Sequence, residues 1–229
     1  MAKRIVFLPT LASESLLFRE VLVDFEWIPG MAISQARKSV TNLHKAILEQ
    51  LDVKNVLEIS TRSLSDLGIR LSAFNLQVGV IDHLTSVETA YQSSKVFKNG
   101  GPYLDLLLRP SMVAKQDERL KSSGQLLGYE FEDQSWPLRT SPNFYDFLYI
   151  SGLLNFDSRK ELTNFEAFTD IAFSQITLDY KARKSYNCQA RSAAIYISLL
   201  NRMEESEMLA YIRTQGSIAN LTAEQLDLF

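Results

Sequence analysis

The chain has 229 residues, of which 46% are hydrophobic and 22% charged, so it is long and apolar enough to bury the core of one large domain. A net charge of −3 and a pI near 5.5 exclude a broadly basic protein that coats nucleic acid, although they allow a local basic patch. A single cysteine, Cys188, excludes an internal disulfide, and two histidines, His44 and His83, are too few soft ligands for a structural zinc site.

The N-terminus begins with basic residues, but Pro9 interrupts its apolar run after a few positions. That run is shorter than the apolar region of a signal peptide, and no stretch approaches the ~18 apolar residues of a membrane span. A cytoplasmic location without a membrane partner is therefore expected.

The N-terminal quarter predicts a strand, a second strand and a helix. Residues 4–9 form a short apolar run, and residues 21–27 alternate as a pairing strand does. After a Pro-Gly turn signal, residues 34–51 carry apolar side chains at helical spacing. His44 lies on this helix, and we interpret it as a residue on the face of the helix, near water.

Residues 55–60 predict another buried strand, which Arg62 follows within a Thr-Arg-Ser segment. Such a segment presents hydroxyls and a guanidinium to a phosphate group, or it is ordinary turn chemistry. Arg62 is therefore a candidate substrate-binding residue. A short strand over 77–81 and a loop at 83–84 are expected next.

The segment 86–97, SVETAYQSSKVF, predicts a helix with one chemically rich face. At about 100° per residue, four polar side chains share that face, and small or apolar residues lie opposite. The four are Glu88, Tyr91, Gln92 and Lys95. Ser86 is the expected N-cap. A spacing of two turns, about 10 Å, between Glu88 and Lys95 suits groups that hold a ligand between them, while a plain surface helix is the alternative.

The rest of the chain predicts mainly helices. Glycine at 100–101 is expected to end the preceding helix, and residues 180–186 form a basic turn whose three cations argue weakly for a polymeric substrate. Cys188 is interpreted as a packed side chain. The other expected elements are a helical turn over 103–108, an exposed charged helix over 114–121, a strand over 126–131, an apolar helix from 144, an amphipathic helix over 161–168, a strand or loop over 169–173, and helices over 188–203 and 209–212.

Several common catalytic motifs are absent from the sequence. It has no glycine-rich phosphate loop and no nucleophile elbow, and two histidines make a histidine-based triad improbable. What remains is carboxylate, lysine and aromatic chemistry, which is typical of glycosidic bond cleavage. Two isolated carboxylates, Asp146 and Asp170, add to this set. Asp146 is either a desolvated functional group or an ordinary helix-start residue.

These segments together resemble one protein family. SVETAYQSSKVF is similar to the S-x-E-h-x-Y/F-Q-x-x-K-x-F helix of the NADAR domain superfamily, which has the YbiA-like fold. LSAFNL at 71–76 is similar to its substrate-facing loop in rearranged order. Other segments resemble one branch of it, the NADAR antitoxins encoded beside DarT-type toxins: FEWIPG at 25–30 through NLH at 42–44, NGGPY at 99–103, FYDFLY at 144–149 and YNCQAR at 186–191.

The resemblance implies an α+β fold, a single NADAR domain that is mostly helical with a small sheet. Residues 1–54 are then an N-terminal strand-strand-helix elaboration packed on the core, residues 55–215 the NADAR-like catalytic domain, and residues 216–229 a C-terminal tail. No cofactor and no metal is implied.

The resemblance also implies an activity: removal of ADP-ribose from guanine in DNA by cleavage of the N-glycosidic bond, which reverses a DarT-type toxin. The base would be single-stranded or flipped out of the stack. The glutamate and lysine of the family correspond to Glu88 and Lys95. Glu88 would polarise the ribose or handle protons, and Lys95 would form a transient Schiff base with ring-opened ribose or hold a phosphate. Asp146 and Asp170 are candidate second carboxylates.

Substrate contacts are expected from four further residues: Asn75, Tyr91, Gln92 and Asn187. The expected partners are ADP-ribosylated DNA and, functionally, the cognate toxin. Two alternatives stay open. One is an N-glycosidase acting on a small phosphorylated metabolite of the riboflavin-pathway type. The other is a non-enzymatic antitoxin that binds ADP-ribose or the toxin.

Overall fold

The computed structural model describes residues 1–80, 83–138, 140–173 and 187–216. The fold is α+β, as predicted, with 44% of the described residues in helices and 20% in strands. By its contacts the chain divides into two compact units: residues 1–72 with 157–204, and residues 73–156 with the chain from 205 onward. The expected division into 1–54, 55–215 and 216–229 stays a prediction.

In the first part of the chain the elements are β1 (Ala2–Leu8), β2 (Arg19–Phe25), α1 (Ile33–Gln50), β3 (Val56–Glu58), α2 (Asp66–Arg70), β4 (Gln77–Val80), β5 (His83–Ser86), α3 (Val87–Ser93), β6 (Lys95–Phe97), a 3-10 helix (Leu104–Leu108), α4 (Ser111–Gln116) and α5 (Arg119–Ser122). They are followed by β7 (Leu126–Phe131), β8 (Gln134–Trp136), α6 (Phe144–Leu154), a second 3-10 helix (Asp157–Asn164), β9 (Ala167–Thr169), α7 (Gln189–Leu200) and α8 (Glu205–Gly216).

The first unit is built on a sheet of order β2-β1-β9-β3. β1 pairs antiparallel with β2 along its whole length, as predicted, and β3 pairs parallel with β9. Helix α1 contacts β2, because its apolar residues recur every three or four positions and face the sheet. Their core includes Val6, Val23, Leu43 and Ile47, all fully buried. Helix α7 contacts β9 and β1.

The second unit has helix α3 near its centre, in contact with α4, the first 3-10 helix and α6. It also holds the β4-β5 hairpin and the antiparallel sheet β6-β7-β8. Aromatic rings fill the space beside α6, where Phe144 lies 4.9 Å from Tyr129 and 5.5 Å from Trp136 between ring centroids. Helix α8 contacts α6, and its Arg213 guanidinium lies 4.6 Å from the Phe147 ring.

Several expected elements differ from the structure. The predicted loop at 83–84 belongs to β5, which pairs with β4. The predicted helix over 114–121 is two short helices, because the Asp117 side chain accepts from the Arg119 backbone N–H (2.9 Å) and breaks the helical ladder. The predicted helix over 161–168 is a 3-10 helix followed by β9. The predicted basic turn at 180–186 lies outside the described residues.

Candidate functional site

The first turn of α3 is fixed by the segment before β4. Ser86 is the N-cap, as predicted: its Oγ accepts from the Thr89 backbone N–H at 3.0 Å. The next two backbone N–H groups of α3 have partners in the 73–76 segment. Val87 donates to the Leu76 carbonyl and Glu88 to the Ala73 carbonyl, both at 2.9 Å. The loop that resembles the family's substrate-facing loop therefore positions the glutamate.

Glu88 is a buried carboxylate with two partners. The residue is only 6% exposed. The Gln92 side-chain amide donates to its Oε1 at 2.8 Å, one helical turn away. The Lys115 ammonium lies 3.3 Å from the same oxygen. A buried charge is tolerated only when it is paired and hydrogen-bonded, and these two groups meet that need.

Lys115 is a site residue that the sequence did not single out. It lies one turn into α4, whose first residue, Ser111, hydrogen-bonds the Ser86 hydroxyl (2.8 Å) and donates to the Phe74 carbonyl (3.1 Å). The Lys115 ammonium also lies 4.7 Å from the centre of the Phe74 ring. The start of α4 is thus tied to both the N-cap of α3 and the 73–76 segment, and Lys115 reaches Glu88 from there.

The predicted helix over 86–97 ends four residues early, at Ser93. Ser93 and Ser94 both donate through their hydroxyls to the Ala90 carbonyl, at 2.9 and 2.7 Å, which completes the last turn. Lys95 then begins β6, which pairs with β7. Glu88 and Lys95 therefore do not share a helix face, and the prediction of two groups 10 Å apart on one helix is wrong.

Gly101 was also expected to end that helix, but it has a different place. Its φ is +87°, and a Cβ there would lie 2.2 Å from the Lys95 carbonyl oxygen. Only glycine allows both the left-handed backbone and the close approach. Gly101 therefore packs against the strand that carries Lys95.

Lys95 is a half-buried lysine beside an aromatic ring. Its ammonium lies 4.8 Å from the centre of the Tyr91 ring. The Lys95 pKa is lowered to about 8, chiefly by burial; the charge of Glu88 acts to raise it, and the charge of Lys115 acts to lower it. At neutral pH about one tenth of such a lysine is the free amine, which is the nucleophilic form.

The other two residues of the predicted polar face lie beside Glu88 and Lys95. The Tyr91 hydroxyl is 2.8 Å from the Tyr129 hydroxyl, and burial raises the Tyr91 pKa, so this group is a neutral phenol. Gln92 is 6% exposed, and among the described residues its Oε1 has no hydrogen-bond partner. A buried acceptor without a donor is costly, so this oxygen is suited to a ligand that supplies one.

Asn75 and Asp146 lie in the same unit as Glu88. Asn75 is exposed, and its backbone carbonyl accepts from the Gln77 side chain at 3.0 Å. Asp146 is fully buried and forms a capping box: it accepts from the Asn143 backbone N–H at 2.9 Å, and Asn143 accepts from the Asp146 N–H at 3.1 Å. These are the contacts of a helix-start residue. A catalytic role for Asp146 stays a prediction.

A second group of acids lies in the first unit around Glu58, which the sequence analysis did not select. Glu58 is 1% exposed. It accepts from the Ser60 hydroxyl at 2.6 Å, from the Thr169 hydroxyl at 2.7 Å and from the Ile171 backbone N–H at 2.9 Å. Burial raises its pKa, while these hydrogen bonds and the charge of the exposed Arg62 lower it. The sequence around Glu58 has the pattern of an ordinary buried strand, and nothing in that pattern indicates a functional carboxylate.

Asp170 lies next to this group and is half-buried. It accepts from the Gln189 side-chain amide at 3.1 Å and from the Ala172 backbone N–H at 3.0 Å. Burial, followed by the charge of Glu58, raises the Asp170 pKa to about 7. Glu58 and Asp170 are thus neighbouring acids whose like charges disfavour ionisation of both at once.

His44 belongs to the same hydrogen-bond chain; it lies on α1 and is half-buried. Its Nε2 lies 3.1 Å from the Thr169 hydroxyl, whose own proton is donated to Glu58. His44 therefore carries its hydrogen on Nε2. Burial lowers the His44 pKa to about 4, which keeps the ring neutral.

The start of α7 lies in the first unit too. Asn187 is half-buried and precedes Cys188, the N-cap position of α7. Cys188 is 2% exposed, and burial raises its pKa, so the thiol is packed and protonated, as predicted. The substrate contacts assigned to Asn75, Tyr91, Gln92, Asn187 and Arg62 stay predictions.

Within the described ranges, no group of three or more histidine, cysteine, aspartate or glutamate side chains is arranged to hold a metal ion. None of the helices described is long and apolar enough to cross a bilayer.

The comparisons with known proteins give one family. A family model described as DarT1-associated NADAR antitoxin matches residues 2–225, nearly the whole chain. The match includes the Glu88 turn, Lys95 and α4, so the site lies within it. No curated protein matches the chain. The association gives the protein an antitoxin role and pairs it functionally with a DarT toxin. The chain belongs to the family of DarT1-associated NADAR antitoxins.

Proposed function

We propose that this antitoxin is a glycohydrolase that removes ADP-ribose from guanine bases of DNA. The observation that carries the proposal is the buried carboxylate of Glu88, held by Gln92 and Lys115 in the unit that also contains Lys95. Carboxylates at this kind of site stabilise the positive charge that develops at a sugar C1 as its bond to the leaving group breaks. The NADAR superfamily is generally glycosidase-like, which supports the same reaction class.

The reaction breaks the bond between ribose C1″ and the guanine nitrogen. Water supplies an oxygen to C1″ and a proton to the leaving nitrogen, so the products are free ADP-ribose and intact guanine. Glu88 stabilises the charge at C1″ and orients the ribose hydroxyls. A guanine in duplex DNA is shielded by stacking, so the substrate is a single-stranded or flipped base.

Lys95 is assigned the role of nucleophile. The ribose ring opens as the guanine nitrogen forms a double bond to C1″, the C1″–O4″ bond breaks and a proton goes to O4″. The Lys95 amine then adds to C1″, a proton passes from the lysine nitrogen to the guanine nitrogen, and guanine leaves, so that an imine of Lys95 remains. Water hydrolyses this imine to release ADP-ribose and the free amine. The lowered pKa of about 8 supports this role over that of a permanent cation for phosphate. Asp170, with its pKa of about 7, and Asp146 remain candidates for a second acid.

The test is hydrolysis of a single-stranded oligonucleotide that carries one ADP-ribosylated guanine. The wild type is expected to release ADP-ribose and restore the oligonucleotide mass. Glu88→Gln is expected to lower the rate roughly 100-fold or more, because the amide cannot stabilise the cationic sugar. Glu130→Gln is the matched control, since Glu130 is an exposed glutamate of the same unit.

Three other outcomes would contradict the proposal. If the substrate stays intact after incubation with the wild type, the protein lacks the proposed activity. Hydrolysis of a small phosphorylated N-glycoside in place of the oligonucleotide favours a metabolic N-glycosidase. Full protection of toxin-expressing cells by Glu88→Gln, with the toxin co-purifying, favours an antitoxin that acts by binding.

A further inference from the structure

Two features of the Glu88 site are not explained by bond cleavage alone. One is Lys115, whose side chain is 49% exposed although its ammonium pairs with a carboxylate that is only 8% exposed. The other is the Gln92 Oε1 atom, which is buried and has no partner among the described residues. The site thus presents a half-exposed cation at its surface and, among the described residues, an unfilled hydrogen-bond acceptor inside.

The unfilled acceptor defines one part of the ligand. The Gln92 amide nitrogen donates to Glu88, so its oxygen is left to accept and requires a donor. Glu88 Oε2 lies on the same carboxylate and also accepts only, as long as the group is ionised. Two acceptors side by side are complementary to a pair of sugar hydroxyls, each of which donates one hydrogen bond.

The cation defines the other part of the ligand. Lys115 shares the Glu88 Oε1 atom with the Gln92 amide, and its side chain extends from the surface of α4 over the Phe74 ring. The lysine end of this ion pair is half-exposed and stays hydrated, so Lys115 itself is not fixed by burial and can exchange the carboxylate for another anion. A sugar hydroxyl that donates to the Glu88 carboxylate competes with the ammonium for the charge of the same group.

We propose that Lys115 is the phosphate-binding residue of this site, and that it leaves Glu88 for a phosphate of the substrate when sugar hydroxyls bind to Glu88 and Gln92. The ligand class is a phosphorylated pentose. This inference rests on the proposed function and names how the same site recognises its substrate. The exchange also keeps Glu88 paired in the absence of substrate, which avoids an isolated buried charge.

The experiment measures binding of ADP-ribose itself by titration calorimetry, with no cleavage involved. Lys115→Gln is expected to weaken ADP-ribose binding at least tenfold and to reduce the dependence of affinity on salt concentration, because one ion contact is lost. Lys121→Gln, an exposed lysine of the neighbouring helix α5, is the matched control and is expected to stay within twofold of the wild type.

A second variant addresses the hydroxyl pair. Gln92→Met keeps the length of the side chain and removes the acceptor, and it is expected to weaken ADP-ribose binding while leaving the salt dependence unchanged. Circular dichroism of each variant checks that the fold is intact.

Wild-type affinity in Lys115→Gln, or tighter binding because Glu88 is uncovered, would overturn the inference, and so would a wild type that does not bind ADP-ribose. Failure of the proposed function has a different signature: ADP-ribose binds with the expected pattern, but the modified oligonucleotide stays intact.

Discussion

At the scale of single residues, the contacts that hold the buried acids are of two kinds. Glu88 and Gln92 are four positions apart on one helix, and their contact follows from helical spacing. Lys115 reaches Glu88 across 27 positions, and Glu58 is held by Thr169 and Ile171, over a hundred positions away. Spacing rules do not extend to contacts of the second kind.

The role of Lys95 gives a prediction at this scale. Because only the free amine attacks, the single-turnover rate is expected to rise with pH and to level off above about 8. Sodium borohydride added during turnover is expected to trap a covalent complex between the protein and the ribose. Lys95→Arg keeps the positive charge but forms no imine, so both signals are expected to vanish.

A pH-independent rate without a trapped adduct would contradict the nucleophile role. If Lys95→Arg also kept most of its activity, the lysine would act as a cation that holds the substrate.

At the scale of elements, the largest correction concerns where α3 ends. Helical periodicity continues through Lys95, but Val96 and Phe97 are residue types that favour strands, and β7 offers them a partner. The Ser94 carbonyl is already bonded to the Glu130 backbone N–H at 2.8 Å. Strand pairing between β6 and β7 therefore takes the place of the last predicted turn of α3. Helical spacing along the sequence gives no indication of this pairing.

Gly101 gives a prediction for the element that carries Lys95. Gly101→Ala is expected to lower the free energy of unfolding by about 1–3 kcal/mol, because the new methyl group would meet the Lys95 carbonyl in a left-handed backbone conformation. Urea unfolding measures the loss. The displaced strand is expected to reduce borohydride trapping as well.

Gly124→Ala is the matched control for this change. Gly124 also has a positive φ, +84°, but its added Cβ would meet the Asn99 side-chain amide at 3.1 Å, and a side chain moves more easily than a strand backbone. Equal destabilisation by the two variants would show that backbone strain alone, and not the approach to Lys95, sets the cost.

At the scale of the whole molecule, the α+β class was implied by the resemblance to the NADAR superfamily, whereas the places of β9 and β3 in the first sheet needed the structure. β1, β2 and α1 are neighbours in sequence and were predicted as a block, with pairing between β1 and β2. β9 pairs with β1 and β3 from far along the chain. Its first two residues were expected at the end of a helix, and Thr169 in a strand or loop. Short strands carry too little pattern to be found without their partners.

The pH dependence of stability concerns the whole molecule. Two titratable groups, Asp170 and His44, change the stability in opposite directions as pH rises. The folded pKa of Asp170 is about 7 against an ordinary 3.8, so its protonated form favours the fold and its contribution is lost as pH rises from about 4 to 7. The folded pKa of His44 is about 4 against 6.5, so its contribution is lost as pH falls through that range.

Variants separate the two effects. Relative to the wild type, Asp170→Asn is expected to gain stability as pH rises from 4 to 7, with a slope of at most about 1.4 kcal/mol per pH unit. His44→Gln keeps a donor for Thr169 and is expected to gain stability relative to the wild type as pH falls from 6.5 to 4. Urea unfolding at several pH values gives both differences. Flat difference curves would mean that neither group is perturbed by the fold.

The parallel pairing of β3 with β9 has a consequence for the synthesis of the antitoxin. Residues 56–58 leave the ribosome long before residues 167–169, so the first sheet keeps an open edge until more than two thirds of the chain has been made. The acid group around Glu58 depends on the same late segment, since Thr169 and Ile171 supply its donors. A chain that ends before residue 167 is therefore expected to lack the complete first sheet and the donors of Glu58, and we expect it to give no protection against the toxin.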